Sequence, residues 1–315
     1  MNMKKFLNLL LMIPFATAFM VGCQSEDITY SGPEYVMFSD TTYTMPILEM
    51  DKMFEVPVAA TTLADYDRNY AVEIVNDKST AVRGYHFDFV DNSNNVTIKA
   101  GERTALVKLA GHYDNVNRDD SLVVRLRLVE PEAQTWDLYG NETLVDFIKC
   151  HPFKMNDFLQ IKNETDEADF MMLASFPFDS NTGSFSVKGY KKDEKTLMLT
   201  DMFGRSGSGE IRVIFDDSDP LDLVVTVPEQ AGFRESTYGT VWVRSVAQYP
   251  SYFNTFDNFF VLILEAYVPQ IGSFGVYQYI FKSLDKDEAE NNENGAATRS
   301  IAESSDCSTF KFNKF

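Results

Sequence analysis

The chain reads as an all-β protein with two antiparallel β-domains in series, and three observations predict this. Short runs alternate apolar and polar residues with a period of two, as in Val124-Arg125-Leu126-Arg127-Leu128, where Val124, Leu126 and Leu128 share one face. Gly, Asn and Asp punctuate these runs at short intervals, as turns between antiparallel strands require. No stretch sustains the 3.6-residue period of a helical bundle. At 315 residues the length exceeds one usual domain, and 44% hydrophobic with 14% aromatic residues can fill two cores, which excludes disorder over the whole chain. With Lys+Arg 28 against Asp+Glu 47 the formal charge is -19, and no basic cluster is present to release counterions from phosphates, so nucleic acid is excluded as a partner.

The first element, 1–22, is a targeting segment. Lys4 and Lys5 precede an almost continuous apolar run from residue 6 to residue 20, which is too short to span a hydrocarbon core of roughly 30 Å. Met20-Val21-Gly22-Cys23 resembles a bacterial lipobox, with Met20 where the pattern prefers Leu. That resemblance implies cleavage before Cys23 and a diacylglyceryl anchor on its sulfur, with 23–33 as the lipidated tether. Cleavage leaves 26 cationic against 47 acidic residues, a charge of -21, so acyl chains rather than basic side chains must hold the protein to an anionic membrane. Gln24-Ser25-Glu26-Asp27 resembles the acidic export signal of Bacteroidetes lipoproteins, which implies an outer-membrane, surface-exposed location.

Strands are predicted in the first domain, 34–149, at 35–38, 53–59, 70–75, 95–99, 104–109 and 122–129. Gly84-Tyr85-His86-Phe87, Val96-Thr97-Ile98-Lys99-Ala100-Gly101-Glu102-Arg103, Ala105-Leu106-Val107-Lys108-Leu109 and Tyr113-Asp114-Asn115 resemble a Calx-beta module, which implies an immunoglobulin-like β-sandwich. Gly101 supplies the positive φ that a turn between two alternating strands needs. Calx-beta modules bind Ca²⁺ through clustered carboxylates, and the matching positions here are Asp114, Asp119 and Asp120, oxygen donors suited to a hard cation. His86 and Asn115 stand where the family often has acids. The same residues also fit a solvated acidic loop. No other cofactor is expected.

Cys150-His151-Pro152-Phe153 reads as a linker, because Pro152 breaks pairing and pushes His151 towards extended geometry. The second domain, 150–284, has strands predicted at 170–176, 185–190, 196–202, 210–215, 221–227, 239–246, 259–268 and 274–281. Eight strands with short turns fit an up-and-down barrel or a second sandwich, and pattern alone leaves both open. Residues 285–295 lack large apolar side chains, so 285–306 is expected to be a disordered acidic segment, with alternation returning in a terminal strand within 307–315. With Cys23 acylated, Cys150 and Cys307 remain, either as a disulfide or as two free thiols. His86, His112 and His151 show no zinc-ligand spacing with either.

The lipobox, the Calx-beta-like module and the second β-domain together resemble a family of uncharacterised lipoproteins of gut Bacteroidetes, as do Ser31-Gly32-Pro33-Glu34-Tyr35 and Trp136-Asp137-Leu138-Tyr139-Gly140. That resemblance implies location and fold, and no agreed activity. No nucleophile elbow, zinc-binding helix motif or P-loop lysine occurs, so no enzyme is expected. Gly204-Arg205-Ser206-Gly207-Ser208-Gly209 mimics a phosphate loop but leads into a strand, without the helix N-terminus that would hold phosphate. The remaining lead is aromatic. Tyr249-Pro250-Ser251-Tyr252-Phe253-Asn254-Thr255-Phe256 reads as a ring-dense loop after a strand holding Trp242. Trp242, Tyr249, Tyr252 and Asn254 form a candidate glycan site, and Trp136 with Tyr139 a second one. Such rings equally serve packing, with 26 Phe to bury. Asp40-Thr41-Thr42 and Asp120-Ser121-Leu122 resemble Bacteroidetes O-glycosylation sites at Thr41 and Ser121. The expected function is a non-enzymatic glycan-binding lipoprotein; the alternative is a structural or adhesive component that meets an outer-membrane protein through an exposed sheet edge.

Overall fold

The computed structural model describes residues 32–50, 53–129, 134–135, 140–163, 165–178, 182–205 and 208–285. The expected signal segment, Cys23 and most of its tether, Trp136, Tyr139, the acidic segment from 286 and the terminal 307–315 with Cys307 lie outside the described residues.

Two five-stranded sheets come first. One carries, in spatial order, β5 (Phe87–Phe89), β7 (Thr104–Gly111), β3 (Met53–Ala60), β1 (Tyr35–Phe38) and β9 (Gln134–Thr135); the other carries β2 (Thr42–Ile47), β10 (Glu142–Lys149), β8 (Leu122–Val129), β4 (Arg68–Ile74) and β6 (Asn95–Ile98). The period-2 pattern does what it predicts. On β8, Leu122, Val124, Leu126 and Leu128 are buried in a core shared by both sheets, while Arg127 on the outer face joins Glu142 at 2.5 Å and Glu73 at 3.0 Å.

β2 runs parallel to β10, from Thr42 beside Leu144 to Ile47 beside Lys149. The chain therefore enters the sandwich at one end and leaves at the other. Arg68 locks the entry end, since its guanidinium donates to Glu34 at 2.7 Å and to the carbonyls of Thr62 and Glu102, with only 5% of the residue exposed.

The second body is a barrel, and this settles the alternative that the pattern left open. β11 (Glu167–Ser175), β12 (Thr182–Asp193), β13 (Thr196–Thr200) and β14 (Ile211–Asp216) run up and down in sequence, followed by β15 (Val224–Thr226) with β16 (Gln230–Glu235), β17 (Gly239–Ser245) with β18 (Ser251–Asn254), β19 (Phe259–Val268) and β20 (Gly272–Leu284). β15 and β16 form one stave interrupted at Pro228, and β17 and β18 form its neighbour, so the staves number eight. β20 pairs with β19 on one side and with β11 on the other, which closes the ring. Residues alternating inward, among them Phe170, Phe260, Phe281 and Tyr279, fill the interior; Phe260 and Phe281 stack with centroids 4.5 Å apart. One end is plugged by a helical turn, Met155–Phe158, where Phe158 meets Phe215, Phe253 and Phe260, and Phe153 stacks on Phe215.

The segment read as a linker is pinned. Cys150 is buried and bonds through its N–H to Ile47, Thr255 donates to the carbonyl of His151, and the His151 ring lies 5.6 Å from Phe256. Across the same junction Arg118 grips Asp257 through two hydrogen bonds of 2.9 and 2.7 Å and lies 4.9 Å over Phe256. The sandwich thus abuts the plugged end of the barrel.

Other sequence readings also need correction. β2, β5, β9, β10 and β16 lie outside the predicted strands: Pro46 interrupts the pattern of β2, the polar Glu142-Thr143 opening disguises β10, Pro228 precedes β16, and β5 and β9 have only three and two residues. The segment 221–227 contributes only Val224–Thr226 to the sheet. The aromatic run 249–256 is no loop. Ser251–Asn254 is a barrel strand with Ser251 and Phe253 facing in, and Pro250 masked so short a signal.

Inside the barrel Gly189 leaves no room for a side chain, since a Cβ there would sit 2.7 Å from the Met198 carbonyl and 3.3 Å from the Phe170 ring. Gly189→Ala is expected to lower stability by about 1–3 kcal/mol in urea unfolding. At the junction, Arg118 holds the Asp257 carboxyl below its usual range. A depressed carboxylate contributes its stabilisation above its unfolded-state pKa of about 3.9 and loses it as pH falls through the lower folded value. Protection from hydrogen exchange at His151, Phe153 and Lys154, taken relative to the intrinsic rate at each pH, is therefore expected to fall on acidification below about pH 4, and Arg118→Ala to remove that pH dependence.

Candidate functional site

An up-and-down barrel sends its loops to two ends. The plugged end receives the sandwich, and the other end, the mouth, is built by the connections β11–β12, β13–β14, β16–β17 and β19–β20. Aromatic side chains from three of them meet there. Phe178 follows β11, Tyr238 sits in the β16–β17 turn, and Phe274 opens β20; ring centroids are 4.6 Å apart for Phe178 and Phe274, 5.1 Å for Tyr238 and Phe274, and 5.7 Å for Phe178 and Tyr238. Phe178 is 43% and Tyr238 40% exposed, and Ile271, in the β19–β20 turn, is 56% exposed.

Each ring is held by local chemistry. Phe178 has φ +63, a left-handed conformation that a bulky residue adopts at a cost of order 1–3 kcal/mol unless its surroundings impose it. Arg205 imposes part of it by donating to the carbonyl of Pro177 at 3.1 Å while lying 5.1 Å over Phe233. Glu235 folds the β16–β17 turn by accepting the N–H groups of Thr237 and Tyr238 at 2.6 and 2.9 Å, which sets the backbone beneath Tyr238. Phe274 is the extra residue of a bulge: Gly275 pairs with Ala266 and Ser273 with Tyr267, and Gly275 at φ +121 turns the strand so that the skipped ring joins the mouth. Beneath these rings Phe176, Phe203 and Tyr279 occupy the interior, and burial pushes the Tyr279 phenol far up. The platform lies on the rim and not over a hollow.

The residues chosen from the sequence are placed elsewhere. Trp242 stands half-buried on the outer wall opposite Tyr267, whose ring is covered by Arg244 at 4.6 Å. Tyr252, also on the outer wall, sets its ring 6.3 Å edge-on to Phe259, and burial raises its phenol pKa. Tyr249 forms a short bridge with Val246. Asn254 accepts the N–H groups of Phe256 and Asp257 and so shapes the turn that Arg118 grips. Trp242 lies near the rim but on the outer wall, Tyr249, Tyr252 and Asn254 lie towards the plugged end, and Trp136 and Tyr139 lie outside the described residues. A shallow depression on the sandwich, lined by Asn69, Tyr70, Ala71, Asn95 and Val129, is too open to enclose a ligand.

The proposed calcium donors do not converge. Asp120 accepts from the N–H and side-chain amide of Asn117, Asp114 sits in a short helical turn, and among the described residues no group of three or more His, Cys, Asp or Glu is placed to hold a metal ion. Thr41 and Ser121 are both exposed. The Gly204–Gly209 stretch precedes strand β14, as its sequence indicated, in the β13–β14 connection.

The mouth was missed because its three aromatics lie far apart in sequence, and Phe274, at the head of the ring-rich run 274–281, fell inside a predicted strand. A signal existed: Phe178, Tyr238 and Phe274 each adjoin a turn on the same end of a meander, two of them beside a glycine.

No family model matches the chain, and no curated protein matches it. Three solved structures illustrate its likenesses. A protein of unknown function from Bacteroides ovatus is 10% identical, over 79% of this chain and 89% of that one, with a TM-score of 0.33. An auxiliary nutrient binding protein from Bacteroides thetaiotaomicron is 11% identical over 78% and 90%, with a TM-score of 0.31. The apo form of the Calx CBD1 domain is 18% identical over 38% and 98%, with a TM-score of 0.30.

Burial pushes the Cys150 thiol up to about 11, with Asp219 adding to the shift. A thiol so placed is protonated near pH 8, and Cys150 is expected to resist iodoacetamide in the folded protein and to react once urea unfolds it, as peptide mass analysis would show.

Proposed function

We propose that this protein is a non-enzymatic binding lipoprotein of the outer-membrane surface, anchored through acylated Cys23, that captures extracellular glycan on the barrel mouth. The observation that carries the reading is the trio Phe178, Tyr238 and Phe274, gathered from three separate loops, in which Phe178 and Tyr238 are exposed and Phe274 backs them from the barrel core. A pyranose ring presents a face of C–H groups, and an exposed aromatic surface buries that face while leaving the hydroxyls to polar neighbours. The strained backbone at Phe178 supports the same reading, because a bulky residue kept left-handed and exposed gains nothing for packing that an ordinary turn residue would not supply. The outer-wall residues Trp242, Tyr249, Tyr252 and Asn254 take structural parts in this reading, and Thr41 and Ser121 remain accessible for O-glycosylation.

The edge-pairing alternative has less to work with. The barrel closes on itself, and the sandwich edges are short or blocked: β5 has three residues, β9 two, β6 four, and β2 contains Pro46.

The test is a glycan array with the soluble chain, residues 28–315. Phe178→Ala and Tyr238→Ala are each expected to weaken binding about tenfold, the order that loss of one ring contact implies. Tyr252→Ala should leave it unchanged, as should removal of Ca²⁺. Binding that survives both mouth substitutions, or no binding at all, would sink the assignment.

A further inference from the structure

The sandwich presents an unexplained feature at the end where the chain enters. The loop 61–67 between β3 and β4 is fastened on every side. Thr61 bonds through its N–H to the Tyr35 carbonyl, Arg68 donates to the Thr62 carbonyl, Gly101 donates to the Ala64 carbonyl, and Asp67 accepts from Lys99 at 2.7 Å and from the N–H of Ala100 at 2.9 Å. A loop so fixed nevertheless turns Leu63 and Tyr66 to solvent, 57% and 59% exposed. Exposure here is not looseness, and neither side chain packs in the core.

We propose that this end is the base on which the protein stands on its membrane, with Leu63 and Tyr66 seated in the lipid interface, so that the barrel mouth faces away from the bilayer. The inference rests on the reading of Cys23 as a lipid anchor. Ten residues lie between Cys23 and Glu34, eleven steps of the chain with a reach of at most about 40 Å. Glu34 is bonded to Arg68, the residue that also holds the loop, so the tether delivers this end to the bilayer first. Leu buries apolar surface among acyl chains, and Tyr suits the headgroup level, where one side of its ring is apolar and its hydroxyl wet. With a mature charge of -21, attraction to anionic lipid cannot orient the molecule, which leaves apolar contact to do so. The rest of the geometry follows from topology. β10 leaves the sandwich at the opposite end, Arg118 and Phe256 fasten that end to the plugged end of the barrel, and β20, 13 residues or about 43 Å along the strand, carries the chain between that end and the mouth.

The experiment uses the full acylated chain in vesicles of phosphatidylethanolamine and phosphatidylglycerol, with Cys150→Ala and Cys307→Ser removing other thiols. An environment-sensitive fluorophore is placed by Leu63→Cys, Tyr66→Cys or, at the mouth, Ile271→Cys. The expected result is a blue shift and quenching by spin-labelled lipid at 63 and 66, with 271 as in water. If mass analysis shows acylated Cys23 while position 63 is quenched no more than 271, the base is overturned and the anchor stands. An unmodified Cys23 overturns both. Neither outcome touches the glycan reading, which the array decides separately.

Discussion

The pairing of β20 with β11, from Leu284 beside Asp169 to Tyr279 beside Ala174, is the constraint on which the rest of the second body depends. Without it the sheet would have two free edges and a curled apolar face that must be covered by something else. With it, the inward rows of eight staves meet, and Phe170, Phe260, Phe281 and Tyr279 become one another's solvent. The same closure explains why the interior is filled. Large rings projecting from several staves occupy the barrel's bore, and the helical turn Met155–Phe158 stops one end. Any ligand chemistry is thereby pushed outward to the rim.

Closure also gives the molecule a direction. A meander places alternate connections at opposite ends, so the mouth and the plugged end divide the loops between them. The plugged end is occupied by the sandwich through the paired Arg118 and Asp257 and the rings of His151 and Phe256. Because β2 and β10 run parallel, entry and exit of the sandwich lie at opposite ends as well. The chain therefore proceeds from entry end to junction to mouth, with its fastened Leu63–Tyr66 loop at the start and its aromatic platform at the finish. Two exposed apolar groups at the two extremes of such an arrangement are readily explained if they meet different partners.

Much of the fold was legible. Period-2 runs such as 122–129 and 259–268 predicted strands because a half-buried ladder imposes that alternation directly on composition. The strands that escaped had a local reason to do so: Pro46 in β2, Pro250 before β18, and a broken stave at Pro228. The site was less legible. Trp242, Tyr249 and Tyr252 attracted notice because aromatics were dense there, yet density in sequence reflected a barrel wall with rings on both faces. Phe178, Tyr238 and Phe274 are 60 and 36 residues apart and become neighbours only after the ring closes. Asp114, Asp119 and Asp120 were the converse case, close in sequence and not convergent in space.

By itself the sequence determined the all-β class, the acidic surface and the positions of most strands, since these depend on which residues alternate and which are charged. It left open barrel or sandwich, because an open sheet and a closed one ask for the same alternation. Only the tertiary structure decided closure, the pinned junction and the gathering of three distant rings at one rim. Those outcomes depend on pairing between strands more than a hundred residues apart, and no local pattern encodes which distant edge a strand will meet.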